Sequence, residues 1–183
     1  MESNFLSRFV RLLDNLSEWT GKTISWLALL MVVCTCIIVV MRYVMNSGNV
    51  AFQESVIYMH SFLFLLGAAY TLKHDGHVRV DIFYRPLSER NKAWVNIFGT
   101  VFLLFPVTLF IAYISWEYVA TSWALTEGSQ EAGGIPYRYV LKSALIAMPV
   151  LMILQGIAEL GRCILVLQGQ GHLLEEDVTE HTV

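Results

Sequence analysis

The residues best suited to chemistry form a short polar stretch between two long apolar runs. The stretch covers residues 73–81 and includes Gly76, His77, Arg79 and Asp81. Gly76 allows a tight turn, and Asp75, Arg79 and Asp81 are close enough in sequence to form an ion-paired turn. The stretch has no nucleophile beside a base and no metal-ligand spacing, so it predicts a structural role rather than catalysis.

Two other features could hold a metal or a haem. Cys34 and Cys36 are separated by one residue, but on a helix their side chains point about 200° apart, and no second His/Cys cluster completes a site. Cys163 is isolated from both. His60 is the only acidic or basic residue deep in an apolar run. A proton relay is one interpretation, but a lone imidazole favours a neutral histidine hydrogen-bonded to a neighbouring helix.

The elements that must position these residues are four apolar runs. They cover residues 24–41, 56–72, 93–116 and 143–158. Only 15% of the chain is charged, against about 25% in soluble domains. A helix needs about 20 residues to cross a bilayer core of roughly 30 Å. The runs lack the alternation of barrel strands, and too little polar sequence remains to cover four buried helices in water. The sequence therefore predicts an all-α membrane protein with four transmembrane helices.

A different pattern precedes the first run, where two stripes follow opposite sides of a helix over residues 5–19. The apolar stripe is Phe5, Phe9, Leu12, Leu16 and Trp19, and the polar stripe is Arg8, Arg11, Asn15 and Glu18. The pattern predicts an amphipathic helix in the plane of the membrane surface, which Gly21 separates from the first span; a simple extension of that span is the alternative. The predicted units are an interfacial helix (1–21), a four-helix domain (22–167) and a flexible acidic tail (168–183).

The distribution of lysine and arginine predicts the orientation. Nine of the twelve lie in the N-terminal segment, the second loop and the tail side, and three lie in the first and third loops. The positive-inside rule then places both termini and the second loop in the cytoplasm. An ordinary positively charged cytoplasmic loop is thus the alternative interpretation of residues 73–81. The net charge of −3, without a basic block, predicts no nucleic-acid partner.

The same topology places four charged residues at the outer boundary of the membrane. They are Arg42, Glu54, Glu117 and Lys142. A charge near a span is costly unless it is paired or reaches the interface. We therefore expect either a network that joins the helix ends, with Arg42 paired to Glu54, or independent contact of each group with the interface. At the inner boundary, Glu159 and Arg162 stand at i and i+3 and can pair.

Three segments in order carry a family resemblance. They are residues 52–55 at the start of the second span, 66–70 within it and 73–81 after it. Together with the four spans, they resemble the small membrane subunit (DctQ-like, Q-type) of tripartite ATP-independent periplasmic (TRAP) transporters. The resemblance covers about residues 20–165. Where that family often has Trp-x-Glu-Glu before the second span, this chain has Phe-Gln-Glu at 52–54, so one acidic position is missing.

The resemblance implies a role in solute import across the bacterial inner membrane, with no enzyme activity and no cofactor. A large membrane subunit is expected to hold the substrate and sodium sites, and a periplasmic binding protein to deliver a small, carboxylate-bearing solute. The small subunit is then a scaffold in the lipid bilayer, and its first and third loops are docking candidates. Two alternatives are a self-sufficient small dimeric transporter, which needs an acid deep in a span, and a haem-carrying anchor, which needs paired membrane histidines.

Overall fold

Six α-helices and one π-helical turn account for most of residues 2–78 and 81–170, which are the residues described by the computed structural model. The helices are α1 (Glu2–Tyr43), α2 (Val50–Lys73), α3 (Asp81–Tyr84), α4 (Glu89–Gly99), α5 (Phe105–Ala124) and α6 (Arg138–Leu167). Four helical segments are long and apolar enough to cross a membrane: α1, α2, α4 together with α5, and α6. The predicted all-α class with four spans is confirmed.

The first helix corrects the prediction of a break at Gly21. α1 continues through that residue for 42 residues, which corresponds to roughly 60 Å of helix. Gly21 is buried, and a Cβ atom there would overlap the Tyr70 ring of α2. The glycine therefore permits close approach of α1 and α2 rather than a bend.

The N-terminal half of α1 packs along the end of α6. Val10 and Leu13 of α1 and Ala158 of α6 form a buried apolar cluster. The predicted apolar stripe lies on the other side of the helix and is exposed, from Phe5 at 75% to Trp19 at 68%. The stripe is therefore available to lipid or to another protein, and its position in the plane of the membrane surface stays a prediction.

The central element is α6, which packs against α1, α2, α4 and α5. A groove of about 800 Å³ opens between α6, the α4–α5 segment and the end of α2. Its walls are mainly apolar, with Leu103, Met148 and Met152 among them, and Asn96 and Glu159 line its polar part. Its floor is thus the most buried helix of the chain.

A π-helical turn, Thr100–Leu104, joins α4 to α5. Pro106 follows it and lacks the N–H that would bond to Phe102, so an uninterrupted α-helix would leave that carbonyl free. The Phe105 amide bonds to Thr100, five residues back, which is the wider π spacing. The expected disturbance at Pro106 is therefore absorbed as a π turn inside the third span.

The ends of α2 are set by local hydrogen bonds. At the start, the Asn49 side chain caps the helix by accepting a hydrogen bond from the Phe52 amide at 3.2 Å. At the end, the Gly76 amide donates to the Thr71 carbonyl at 2.9 Å, and the left-handed residue is Asp75, with φ 53°. The tight turn is present, but Asp75 rather than Gly76 adopts the left-handed conformation, because an aspartate tolerates it at a helix C-terminus.

Candidate functional site: polar layers at the two membrane boundaries

Glu54 of α2 holds the third loop at the outer boundary. Its Oε2 atom accepts a hydrogen bond from the Ile135 backbone N–H at 2.6 Å, and its Oε1 atom accepts one from the Ser129 hydroxyl. The Ser129 amide donates in turn to the Ile135 carbonyl at 3.1 Å. Gly134 lies so close that a Cβ atom there would overlap both Ser129 and Glu54. One carboxylate thus fixes a loop segment that lies 75 to 81 residues further along the chain.

A second carboxylate, Glu127, joins the same loop to the start of α6. It accepts hydrogen bonds from the Lys142 ammonium and, at 2.7 Å, from the Ser122 hydroxyl. Arg138 lies 3.9 Å from its other oxygen. The hydrogen bond from Lys142, followed by that from Ser122, holds the pKa of Glu127 below its usual value, against an opposing effect of desolvation.

The predicted network of four outer charges does not form. Among the described residues, no ion pair joins Arg42 to Glu54, and the Lys142 ammonium reaches Glu127 rather than Glu117. Glu117 lies beside the exposed Trp116 and Tyr113 at the outer part of α5 and makes no ion pair with any described residue. Sequence position gave these groups a common depth, but the bundle separates them around its circumference.

Sequence reasoning missed the partners that Glu54 and Glu127 use. Ser129, Ile135 and Ser122 are a loop hydroxyl, a loop amide and a helix hydroxyl. The glycines and proline of the loop signalled tight turns, but nothing in the pattern indicated which carboxylate would accept from those turns.

A chain of side-chain hydrogen bonds links α1 to α6 at the inner boundary. Gln155 of α6 is fully buried. It accepts from the Ser17 hydroxyl at 2.6 Å and donates to Asp14 at 2.9 Å. The Arg162 guanidinium donates to the same Asp14 oxygen at 3.2 Å. Two residues of α1 are thereby attached to two of α6.

The same layer continues from α6 to the third span. Arg162 Nε lies 3.3 Å from Glu159 Oε2, so the ion pair predicted from their i, i+3 spacing is confirmed. The other Glu159 oxygen accepts from the Asn96 side chain at 3.0 Å, and the Tyr84 hydroxyl donates to Asn96 at 3.2 Å. The contacts therefore extend from α1 through α6 and α4 to α3.

The first two residues of the polar stretch 73–81 bind α1 through one glutamate. Glu18 Oε2 lies 2.7 Å from the Lys73 ammonium and 2.9 Å from His74 Nε2. Lys22 lies 3.1 Å from its other oxygen. Glu18 is therefore shared between its own helix and the end of α2.

The rest of that stretch is described in part. His77 is exposed, and its Nε2 atom lies 3.3 Å from the Ala68 carbonyl of α2. Asp81 begins α3. Arg79 lies outside the described residues, so the ion-paired turn predicted with Asp75 and Asp81 stays a prediction.

His60 lies on an exposed face of α2, edge-on to Phe64 with ring centroids 5.9 Å apart. It makes no hydrogen bond with any described residue, so the predicted bond to a neighbouring helix of this chain is wrong. Within the same residues, no cluster of three or more His, Cys, Asp and Glu side chains could hold a metal ion. Cys34 and Cys36 are free thiols on α1.

Comparison with known proteins agrees with this architecture. The family model for the DctQ component of tripartite ATP-independent periplasmic transporters matches residues 31–165. A curated relative, the C4-dicarboxylate TRAP transporter small permease protein DctQ of Vibrio cholerae, is 27% identical over 119 residues. That match covers 64% of this chain and 49% of the relative, so the chain spans about half the length of the curated relative it matches. No solved structure gives a significant match.

The family and the four apolar helices together assign the chain to the bacterial inner membrane as a multi-pass protein. The family is a transporter component and not an enzyme. Because the family model matches well over half of the sequence, the chain belongs to the DctQ component family of TRAP transporters.

Proposed function

We propose that this chain is the scaffold subunit of a TRAP transporter that imports a small, carboxylate-bearing solute. In this proposal a large membrane subunit carries the solute and sodium sites, a periplasmic binding protein delivers the solute, and the sodium gradient drives uptake. Membership of the DctQ family supports the role, and the name of the Vibrio cholerae relative, a C4-dicarboxylate transporter component, supports the solute class.

The observation that carries the proposal is the position of the charged side chains. Between the two boundary layers, none of the four spans carries Asp, Glu, Lys or Arg. The boundary charges themselves are held by internal contacts, as Glu54 and Glu127 are outside and Asp14 and Arg162 are inside. Such an arrangement fixes helices relative to one another and offers no chain of ionisable groups along which an ion could be passed.

The third loop supports a docking role at the outer face. Its backbone is attached to α2 through Ile135 and to α6 through the contacts of Glu127. A loop held in this way presents one fixed surface, which reduces the entropy that a binding protein would lose on docking. Arg42 and Glu117, which make no ion pair within the described chain, are the charged residues available to a partner at that level.

Reconstitution in lipid vesicles tests the proposal. Uptake of a radiolabelled C4-dicarboxylate, measured with an inward sodium gradient, should require this chain, the large subunit and the binding protein together. Omission of any one component, or of the gradient, should abolish uptake. Uptake by this chain alone would establish the dimeric transporter instead, and a Soret band in the absorption spectrum of the purified chain would establish a haem anchor.

A further inference from the structure

The α2 face that contains His60 is the one place where the membrane-embedded part of the chain leaves a basic side chain without a partner. Exposed side chains recur along α2 at spacings of four, three and four residues. They are Gln53, Ile57, His60 and Phe64. Ile57 is 57% exposed and Phe64 is 75% exposed. These residues form one stripe on a helix, and the stripe faces away from α1 and α6.

The depth of His60 excludes contact with water at either boundary. It lies six residues from Glu54 and thirteen from Lys73, or about 9 Å and about 20 Å along the helix. A lysine or arginine near a helix end can extend to the interface, but an imidazole at this depth is too short to do so. A polar group in hydrocarbon is costly unless it is hydrogen-bonded, and no described residue of this chain bonds to it.

We propose that this α2 stripe is the contact with a transmembrane helix of the large membrane subunit, and that this helix presents a hydrogen-bonding group to His60. The proposal rests on the proposed scaffold function. Lipid tails can cover Ile57 and Phe64, but they offer neither a donor nor an acceptor for the imidazole between them. A polar side chain or a free backbone carbonyl of a neighbouring helix supplies one, as is usual for polar groups between membrane helices.

Replacement of His60 by leucine distinguishes the two covers by the sign of its effect. On a lipid-facing surface, His60→Leu removes a polar group from hydrocarbon and leaves complex formation unchanged. On a helix interface, it removes a hydrogen bond and leaves the partner group unsatisfied, so we expect affinity for the large subunit to fall by about 3- to 15-fold. The thermal unfolding midpoint of the isolated chain in detergent should stay the same or rise.

Phe110 of α5 provides a matched control. It is 61% exposed and lies seven residues from Glu117, so it has about the depth of His60 but lies on a different helix. Phe110→Leu should leave binding of the large subunit unchanged. A photo-crosslinking amino acid at position 57 or 64, introduced into the full complex in native membranes, should form an adduct with the large subunit. The same group at position 110 should not.

The outcomes separate this inference from the proposed function. If the wild-type chain binds the large subunit and His60→Leu binds it equally well, the α2 contact is overturned and the scaffold role stands. Adducts from positions 57 and 64 that contain only lipid, or a second copy of this chain, also overturn it. If the wild-type chain does not bind the large subunit at all, both proposals fail together.

Discussion

The outer and inner boundaries of this protein are both polar, but they use their polar groups differently. Outside, Glu54 and Glu127 each accept from groups of the third loop or its flanking helix ends, so the carboxylates organise a loop. Inside, Asp14, Gln155 and Arg162 bond side chain to side chain across packed helices, so the contacts organise the bundle itself.

This difference predicts how each end should fail. A loop that loses its acceptor can return to water, where its amides find other partners at modest cost. A helix contact that loses one charged member leaves its partners inside a packed layer, where water cannot readily replace it. Damage at the inner layer should therefore lower global stability, and damage at the outer layer should mainly release the loop.

The largest effect is expected from Arg162→Ala. The change leaves Asp14 and Glu159, each less than one-fifth exposed, without their shared cation. Removing one member of a buried pair costs about 3–5 kcal/mol, and because Arg162 is itself a quarter exposed, we expect about 2–3 kcal/mol. Thermal or denaturant unfolding in detergent measures this, with Lys92→Ala as the control for a surface pair within one helix. Equal destabilisation by the two variants would contradict the distinction between the layers.

The sequence predicted parts of this layer and not others, for a physical reason. The Glu159–Arg162 pair follows from helix periodicity, because residues at i and i+3 are neighbours on any helix. The Gln155–Ser17 contact depends on how α1 is rotated against α6, and side-chain periodicity alone does not contain that angle. The same limit explains the wrong pairing of Arg42 with Glu54, since hydropathy predicts depth but not position around the bundle. It also explains the missing His60 partner, because that helix face is directed away from the rest of the chain.

Glu54→Ala should release the third loop with little effect on the helices. The Ile135 amide loses its acceptor and the Ser129 hydroxyl loses the carboxylate that anchors the turn. Hydrogen exchange should therefore accelerate at residues 129–135 and stay unchanged in α6. Glu131→Ala is the control, because this exposed residue of the same loop contributes only backbone atoms to the turn. Loss of protection throughout α6 would show instead that the loop is part of the global fold.

Acid should loosen the same loop through Glu127. Lys142 holds the pKa of this carboxyl below its usual value, near 4.3 in unfolded chains. Its contribution is therefore fully present above about pH 4.3 and is lost as the pH falls through the lower, folded pKa. Fluorescence of Trp123, whose indole N–H donates to Ser143 at 2.7 Å, should report a step below that pH. Glu127→Gln should remove the step, and a step of equal size in that variant would assign it to another group.

The smallest effect is expected between Arg42 and Glu54. Although they share a depth, Glu54 directs both oxygens to the third loop, so the two charges should act independently. In a double-mutant cycle of Arg42→Gln and Glu54→Gln on the isolated chain, the coupling energy should lie within about 0.5 kcal/mol of zero, as for independent sites. Repeating the cycle in the assembled transporter sharpens the result. A coupling that appears only there must pass through a partner subunit, because nothing in this chain connects the two side chains; a coupling already present in isolation would restore the pairing that the structure rejects.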